Sequence, residues 1–199
     1  MELTALTEAV MARLFVELEA SGRHVHVTED QAMTLFGHRL TPKRELSQPG
    51  QYLANERVSI LGPKGEFHNV AVLGPERSEG QVEISLTDGK VLGIAPPVRP
   101  SGHVANTPGI RLKGEKGAVE LPRGVIAALR HIHVHPTDAA RLGVTDKQLV
   151  RLQTYTDRPV IFENLQVRVS PKFATRVHLD YDEANACGFQ PGDLGRILP

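Results

Sequence analysis

The sequence predicts a mainly β protein in which short strands are joined by turns and followed in places by short helices. Its 18 glycines and 14 prolines are spread along the 199 residues, a distribution that favours a β-barrel or sandwich over a helical bundle. Several short stretches alternate apolar and polar residues, as half-buried strands do. A strand-like pattern with two histidines occurs twice, and a short helix is predicted after each copy.

The composition excludes several classes of protein. The 23 basic and 23 acidic residues cancel and no basic run occurs, so we expect no nucleic-acid partner, although local arginines can still bind a small anion. No apolar run approaches the ~18 residues of a membrane span, and Glu2 and Glu8 stand where a signal peptide would be basic. We therefore expect a cytoplasmic protein without a membrane partner. The single cysteine, Cys187, excludes an intramolecular disulfide and a cysteine-rich zinc site.

The first residues have the spacing of an amphipathic helix. Between residues 2 and 15, apolar side chains recur near helical spacing, at Leu3, Leu6, Val10 and Leu14. Such a helix either caps its own domain or docks onto another protein, and both interpretations stay open. Residues 16–21 then alternate like a strand and lead into the first histidine pair.

The histidine pattern reads Arg-His-Val-His-Val at residues 23–27 and Arg-His-Ile-His-Val at residues 130–134, with a partial copy, Arg-Val-His-Leu-Asp, at residues 176–180. Side chains i and i+2 of a strand share one face, with backbones ~6–7 Å apart, which suits two ligands of one metal ion. A polar residue and a short predicted helix follow each copy. After the first copy, Thr28 and Gln31 have the spacing of a capping box.

The rest of the chain reads as short strands and turns. Strands are predicted at residues 58–61, 70–73, 81–85, 110–112, 119–121, 125–129, 149–154, 160–162 and 165–169. Residues 43–50 are predicted as a polar connection, residues 93–102 as a turn-rich loop, and Pro191-Gly192 as the end of the last helix.

The repeated histidines predict one or two metal ions. The candidate ligands are His24, His26, His131, His133 and His178, with Glu83 as the candidate carboxylate. Zinc is the first choice for such ligands, and Co, Ni, Fe and Mn stay open. The other histidines lack the repeat context, and we expect them to be structural or exposed: His38, His68, His103 and His135.

Arg77 follows a Gly-Pro turn six residues before Glu83. Beside a metal it would bind phosphate or stabilise a developing oxyanion, and otherwise it is a surface arginine. The sequence contains neither a phosphate-binding glycine loop nor a Gly-x-Ser-x-Gly nucleophile motif. These absences point away from a nucleotide-binding loop and from a serine nucleophile.

Taken together, these motifs resemble the PduL-type phosphate propanoyltransferase (phosphotransacylase) family, from about residue 16 to the end. The matching stretches are Arg23–His26, Gln48–Tyr52, Leu73–Arg77, Gln81–Ser85, Thr107–Leu112, Arg130–His133, His178–Asp180 and Asp182–Ala186. The resemblance implies two β-barrels capped by short α-helices. Residues 23–128 would form a central barrel, and residues 129–199 a second barrel completed by strand 16–22. Residues 1–15 would form a cap or an encapsulation peptide for a bacterial microcompartment.

The resemblance also implies a reaction. Family members interconvert a short-chain acyl-CoA, such as propanoyl-CoA or acetyl-CoA, plus phosphate with acyl phosphate plus CoA, at a site with two zinc ions per chain. By residue matching, one zinc would be bound by His24, His26 and Glu83, and the other by His131, His133 and His178. Arg77 would be catalytic, and the CoA contacts would be Ser21, Arg44, Leu73 and Asn185.

Two residues depart from the family pattern. Arg44 stands where a lysine is common, and His135 stands where a Thr or Ser is usual. Two other functions stay open: a zinc-dependent thioester hydrolase and a non-catalytic metal-binding barrel protein. The expected partners are acyl-CoA, CoA and phosphate, further copies of the chain in a homo-oligomer, and microcompartment shell or cargo proteins contacted through residues 1–15.

Overall fold

A computed structural model describes residues 14–198, which form two compact units. The central unit comprises residues 22–128, and the split unit combines the chain up to residue 21 with the chain from residue 129 onward. The predicted helix over residues 1–15 lies, apart from its last two residues, outside the described part of the chain. No helix in the described part is long and apolar enough to cross a bilayer.

Short strands dominate both units, and the predicted fold class, mainly β with short helices, is confirmed. The strands in chain order are β1 Val16–Ser21, β2 His24–His26, β3 Pro42–Glu45, β4 Tyr52–Leu61, β5 Glu66–Gly74, β6 Gln81–Glu83, β7 Val98–Arg99, β8 Ile110–Lys113, β9 Ala118–Leu121, β10 Val125–Ala128, β11 His131–Val134, β12 Leu149–Tyr155, β13 Ile161–Val169, β14 Arg176–Asp180 and β15 Leu194–Leu198. The described helices are α1 Glu29–Phe36, α2 Leu86–Leu92, α3 Pro136–Leu142 and α4 Tyr181–Cys187.

The split unit is a closed barrel of six strands in the order β1-β14-β11-β13-β12-β15. β1 pairs in parallel with β14, so that Leu18 lies opposite Val177. Alternate residues along each strand face the interior because strand side chains alternate between faces. The buried core includes Val16, Leu18, Ile132, Val134, Val150, Leu152, Leu165, Val167, Val177 and Leu179.

The central unit contains a nine-stranded sheet in the order β7-β10-β6-β2-β5-β4-β8-β9, with β3 paired to β4. This pairing path has two ends, at β7 and β9, whereas the path of the split unit closes on itself. The core of the central unit includes Val25, Val27, Val58, Ile60, Val70, Val72, Val82 and Leu112. Helix α1 packs Ala32, Leu35 and Phe36 onto the same core.

The described helices share the same beginning and end. Each begins after a strand that carries a candidate metal ligand, and the first residue outside the helix accepts a backbone hydrogen bond with its side chain. These N-cap residues are Thr28, Ser85, His135 and Asp180. Each helix ends at a glycine with a left-handed backbone, at Gly37, Gly93, Gly143 and Gly188, with φ between 65° and 81°. The predicted capping box of Thr28 and Gln31 is confirmed.

The histidine strands occupy equivalent places in the two units. β2 lies between β6, which is antiparallel to it, and β5, which is parallel. In the same way, β11 lies between antiparallel β14 and parallel β13. Both parallel neighbours contain an asparagine with positive φ, Asn69 (55°) and Asn164 (56°), each two residues before the residue opposite His24 or His131. The two units therefore repeat one local arrangement of three strands.

Several elements were not predicted from the sequence. Residues 43–50 were predicted as a polar connection, and this prediction is wrong for residues 43–45, because strand β3 covers Pro42–Glu45. All four residues of β3 are exposed. A strand with no buried face has no apolar alternation to detect. Helix α2 and strand β15 were also missed, and α4 ends at Gly188 rather than near residue 191.

Candidate metal centres and active site

The first candidate metal centre, the His-His-Glu cluster, consists of His24, His26 and Glu83. The two histidines share a face of β2, and Glu83 lies directly opposite His24 on antiparallel β6. Their ligand atoms all lie within 4.8 Å of one another, and the three residues are only 6%, 2% and 7% exposed. Nε2 of His24 is 3.6 Å from Oε2 of Glu83. Glu83 is 59 positions from His24 and 57 positions from His26 in the sequence. Strand pairing thus brings together the three residues that were predicted as one ligand set.

Backbone carbonyls fix which nitrogen of each ring carries the proton. Nδ1 of His24 is 2.8 Å from the Gly22 carbonyl oxygen, and Nδ1 of His26 is 3.2 Å from the Leu73 carbonyl oxygen. A carbonyl oxygen only accepts, so in both rings Nδ1–H is the donor. In the neutral ring, Nε2 then keeps its lone pair for a metal ion.

Hydrogen bonds also orient the Glu83 carboxylate. Its Oε1 accepts from the Ser101 hydroxyl and from Nε2 of Gln81, both at 2.6 Å. The side-chain oxygen Oε1 of Gln81 in turn accepts from the Gly102 N–H at 2.7 Å. Because these donors occupy Oε1, Oε2 is the oxygen that faces His24. Such outer contacts hold a ligand in the orientation that a metal requires.

Arg77 belongs to the same network. Its Nη1 donates to the Ser101 hydroxyl oxygen at 3.2 Å, and Nε2 of Gln81 donates to that oxygen at 3.0 Å. Ser101 therefore uses its single hydrogen on Glu83 and its acceptor sites on Arg77 and Gln81. One hydroxyl thus connects the predicted catalytic arginine to a predicted metal ligand.

Burial and charge set the protonation states in this cluster. Burial raises the pKa of the Glu83 carboxyl, but attraction to His24 and His26 outweighs it and holds that pKa far below its ordinary value. Burial, with repulsion from His24 and Arg77, holds the pKa of His26 well below its ordinary value. Burial lowers the pKa of His24, but the Glu83 carboxylate more than offsets this and leaves it raised. An ionised Glu83 and a neutral His26 are the forms that bind metals.

The second candidate metal centre, the three-histidine cluster, consists of His131, His133 and His178. His178 lies opposite His131 on antiparallel β14, the place that Glu83 has opposite His24. The ring centroids lie 4.7 to 5.2 Å apart, and Nε2 of His131 is 3.0 Å from Nε2 of His133. Nδ1 of His131 is 2.8 Å from the Leu129 carbonyl oxygen, two residues earlier, as Nδ1 of His24 is from Gly22.

The three-histidine cluster is less convergent than the His-His-Glu cluster. The His178 ring stacks parallel to His131, at an angle of 4°, and within residues 14–198 only His24, His26 and Glu83 bring three ligand atoms within 4.8 Å. Nδ1 of His133 is buried and has no hydrogen-bond partner in the described chain. Burial, with the charges of His131 and Arg168, lowers the pKa of His133 to about 3, so this ring is neutral.

Both clusters have a donor set suited to zinc. Catalytic zinc sites use two histidines with a glutamate or three histidines, and Zn–N distances of ~2.0–2.1 Å place tetrahedral ligand atoms ~3.3 Å apart. The separations of 3.6 Å between His24 and Glu83 and of 3.0 Å between His131 and His133 lie on either side of that spacing. The His-His-Glu cluster therefore fits a zinc ion, whereas in the three-histidine cluster His131 and His133 have a suitable spacing and His178 does not converge with them.

Of the predicted CoA contacts, Arg44 and Leu73 belong to the central unit and Ser21 and Asn185 to the split unit. Leu73 is half-buried, and its carbonyl accepts from His26. Ser21 ends β1 opposite Asp180. Arg44 on β3 and Asn185 on α4 are exposed.

The structure gives a structural role to four residues to which the sequence analysis had assigned none. Gln81 shares a strand face with Glu83, so its contact was detectable, but Ser101 comes 18 residues later in a loop without any signal. Arg168 lies opposite His133 on β13, which only the strand register reveals. His135, predicted to be structural or exposed, is the N-cap of α3 and accepts from the Thr137 N–H.

Comparison with known proteins gives the same family as the motifs. A sequence profile described as phosphate propanoyltransferase matches residues 17–190. A phosphate propanoyltransferase of Listeria monocytogenes is 52% identical over 202 residues, which cover 98% of this chain and 95% of the relative. Relatives of the same name from Enterococcus faecalis and Salmonella typhimurium are 51% and 48% identical, covering 92% and 87% of this chain and 87% and 83% of their own.

Proposed function

The chain belongs to the phosphate propanoyltransferase family and is an acyltransferase, and we propose that it interconverts propanoyl-CoA or acetyl-CoA plus phosphate with the acyl phosphate plus CoA. The observation that carries this proposal is the buried His-His-Glu cluster connected to Arg77 through one hydroxyl. It combines a metal ligand set with a cation for phosphate.

We propose that the protein binds two zinc ions, one at each cluster. The first would be held by His24, His26 and Glu83, and the second by the three-histidine cluster of His131, His133 and His178. The carbonyl contacts at Nδ1 support this, because they direct Nε2 of both first histidines toward the other ligands. When bound, zinc supplies a Lewis acid that polarises carbonyl and phosphate oxygens.

The arginines would bind and orient the anion. Arg77 donates to Ser101, and its charge acts on both His24 and His26, so its guanidinium lies at the His-His-Glu cluster. In the split unit, Arg168 lies opposite His133 on the neighbouring strand, and its charge acts on that ring. A guanidinium binds phosphate through paired N–H donors and stabilises an oxyanion without any proton transfer.

The burial of the only cysteine favours direct transfer of the acyl group from CoA to phosphate. Cys187, the only cysteine, is buried in the barrel core, where its Sγ donates to the Ala184 carbonyl. We therefore propose that a phosphate oxygen bonds to the acyl carbon while the carbon–sulfur bond breaks, and that the CoA thiolate leaves without a covalent acyl-enzyme. The rate would then depend on positioning and on charge stabilisation.

We propose three further properties of the protein. They are the CoA contacts at Ser21, Arg44, Leu73 and Asn185, a homo-oligomeric state, and the encapsulation role of residues 1–15. Residues 1–13 of that segment lie outside the described chain.

The test is an assay of thiol release. The purified protein is mixed with propanoyl-CoA or acetyl-CoA, with and without phosphate, and free thiol and acyl phosphate are measured. We expect thiol release that requires phosphate and yields one acyl phosphate per thiol. Thiol release without phosphate would show a hydrolase instead, and no release with either substrate would leave a metal-binding protein without this activity.

A further inference from the structure

An arginine precedes each histidine strand and contacts the helix that follows the facing strand. In the central unit, Arg23 forms a two-point ion pair with Asp88, with Nε to Oδ2 at 3.0 Å and Nη2 to Oδ1 at 2.6 Å. Asp88 is the third residue of α2, the helix that begins three residues after Glu83, and its side chain is 7% exposed. The ion pair thus joins the two strand–helix segments that carry the His-His-Glu cluster.

The split unit repeats this contact with different residues. Nη1 of Arg130 contacts Oε1 of Glu183, the third residue of α4, which begins three residues after His178. Nε of Arg130 also donates to the Glu163 carbonyl at 2.8 Å. Arginine therefore precedes the first histidine in both units, and a carboxylate follows the third ligand by five residues in both.

An aromatic ring supports each arginine. The Arg23 guanidinium lies 4.1 Å from the Phe67 ring centroid, and the Arg130 guanidinium lies 5.6 Å from the Phe162 ring centroid. Both rings come two residues before an asparagine of positive φ, so they occupy equivalent places on β5 and β13. The arginine, the ring and the carboxylate together form what we call the arginine clamp of each unit.

The clamps act where strand pairing alone is weak. β2 and β6 are only three residues long each, and β11 and β14 pair over three residues. A slip of one residue in such a short pairing would turn Glu83 or His178 to the opposite face and dismantle the ligand set. A partly buried ion pair adds little net stability, because desolvation offsets the attraction, but its geometry selects one register.

We propose that Arg23 and Arg130 are positioning residues, each of which holds the metal ligands of its own unit in register. This inference rests on the proposed two-zinc function. It predicts that loss of one clamp weakens zinc binding in that unit and leaves the other unit unchanged.

Zinc affinity measured by competition with a coloured chelator tests this inference. Removing the contacts that orient a ligand typically lowers metal affinity about 10–100-fold. We expect Arg23→Ala to weaken one of the two zinc ions by such a factor, and Arg130→Ala to weaken the other. The double variant should weaken both, and Arg23→Lys, which keeps the charge but loses the two-point contact, should fall between.

The control is Arg123→Ala, which removes an exposed arginine that pairs with Glu79 in the same unit. It should leave both zinc affinities unchanged. If Arg23→Ala or Arg130→Ala fails to fold, Asp88→Asn and Glu183→Gln remove the clamp charge at nearly constant volume and carry the same expectation.

The outcomes separate the inference from the function on which it rests. Unchanged affinities for both zinc ions in folded clamp variants, even with a lower melting temperature, would make the clamps purely structural and overturn the inference. A wild-type protein that binds no zinc would instead overturn the proposed metal centres themselves. Equal weakening of both ions by a single clamp variant would also contradict the inference, because it would show a general loss of structure.

Discussion

The central and split units carry the same ligand strands but differ at one ligand. Glu83 lies opposite His24 in the central unit, and His178 lies opposite His131 in the split unit. The strand register determines where the third ligand lies, whereas the residue at that place determines its charge. In the central unit, the Glu83 carboxylate would offset one of the two positive charges of a bound Zn²⁺ ion. In the split unit, three neutral imidazoles would offset neither charge.

The surroundings of the two clusters also differ. Glu83 is held by Gln81 and Ser101, so the His-His-Glu cluster is already oriented. The residue equivalent to Gln81 in the split unit is Arg176, which is paired with Glu17 and Glu19 on β1 instead of with a ligand. One scaffold therefore supports a preorganised site in one unit and a looser site in the other.

The largest effect is expected from Glu83→Gln. This change keeps the shape of the side chain but removes its charge, so the His-His-Glu cluster would have two good ligands instead of three. We expect phosphate-dependent thiol release to fall by more than about 100-fold, since loss of a ligand exceeds the loss of an outer contact. Glu83→His, which copies the split unit, should restore zinc binding. Full activity in Glu83→Gln would show that the reaction does not need this cluster. The control is Glu79→Gln, which changes an exposed carboxylate.

A smaller loss is expected from Arg77→Ala. Removing one group that stabilises developing negative charge typically lowers kcat about 10²–10³-fold, and we expect the lower end of this range, because the metal ligands stay in place. Zinc content should stay the same, because Arg77 is not a ligand. Steady-state kinetics and elemental analysis of the same sample check both statements. An unchanged kcat would show that phosphate binds elsewhere, and Arg168→Ala would then be the first variant to examine.

Ser101→Ala tests the preorganisation that distinguishes the central unit. The change removes one donor to Glu83 and one acceptor for Arg77, so we expect zinc affinity in this unit to fall about 10-fold. Unfolding measurements should show a loss of about 1–3 kcal/mol, the cost of leaving buried polar partners unsatisfied. Ser59→Ala, whose hydroxyl contacts only the exposed His68 in the described chain, is the matched control. An unchanged zinc affinity would mean that strand pairing alone orients Glu83.

The smallest effect is expected from His135→Thr, which gives α3 the type of cap that Thr28 gives α1. Because Thr also accepts the backbone hydrogen bond that His135 accepts, the free energy of unfolding should change by less than about 1 kcal/mol. Zinc content should not change. A loss of zinc would show instead that His135 acts on the three-histidine cluster.

Local patterns predicted the candidate ligands, and long-range strand register explains the contacts that these patterns missed. His24 and His26 were predicted as one ligand pair because strand periodicity acts within three residues. Glu83 was named only as a candidate, since its place opposite His24 depends on the pairing of β2 with β6. Ser101 and Arg168 reach the clusters through a loop and a strand register that no local pattern encodes. His135 was missed as a cap because caps are usually Ser, Thr, Asp or Asn.

The fold shows the same limit. The mainly β class followed from turns and alternation, but the closure of one sheet and the open path of the other depend on which strands meet. β3 escaped prediction because an exposed edge strand carries no apolar face. The repeat of Arg23 and Arg130 before the histidines was visible in the sequence, whereas their carboxylate partners on α2 and α4 were not.

The most direct test of the account is the number of zinc ions per chain in three proteins. These are the wild type, the variant His24→Ala/His26→Ala and the variant His131→Ala/His133→Ala, each measured by elemental analysis after gel filtration. The account predicts two zinc ions in the wild type and one in each variant, because each unit would bind its own ion. A single zinc ion in the wild type, or the loss of both ions in either variant, would contradict the claim that the two units carry separate metal centres.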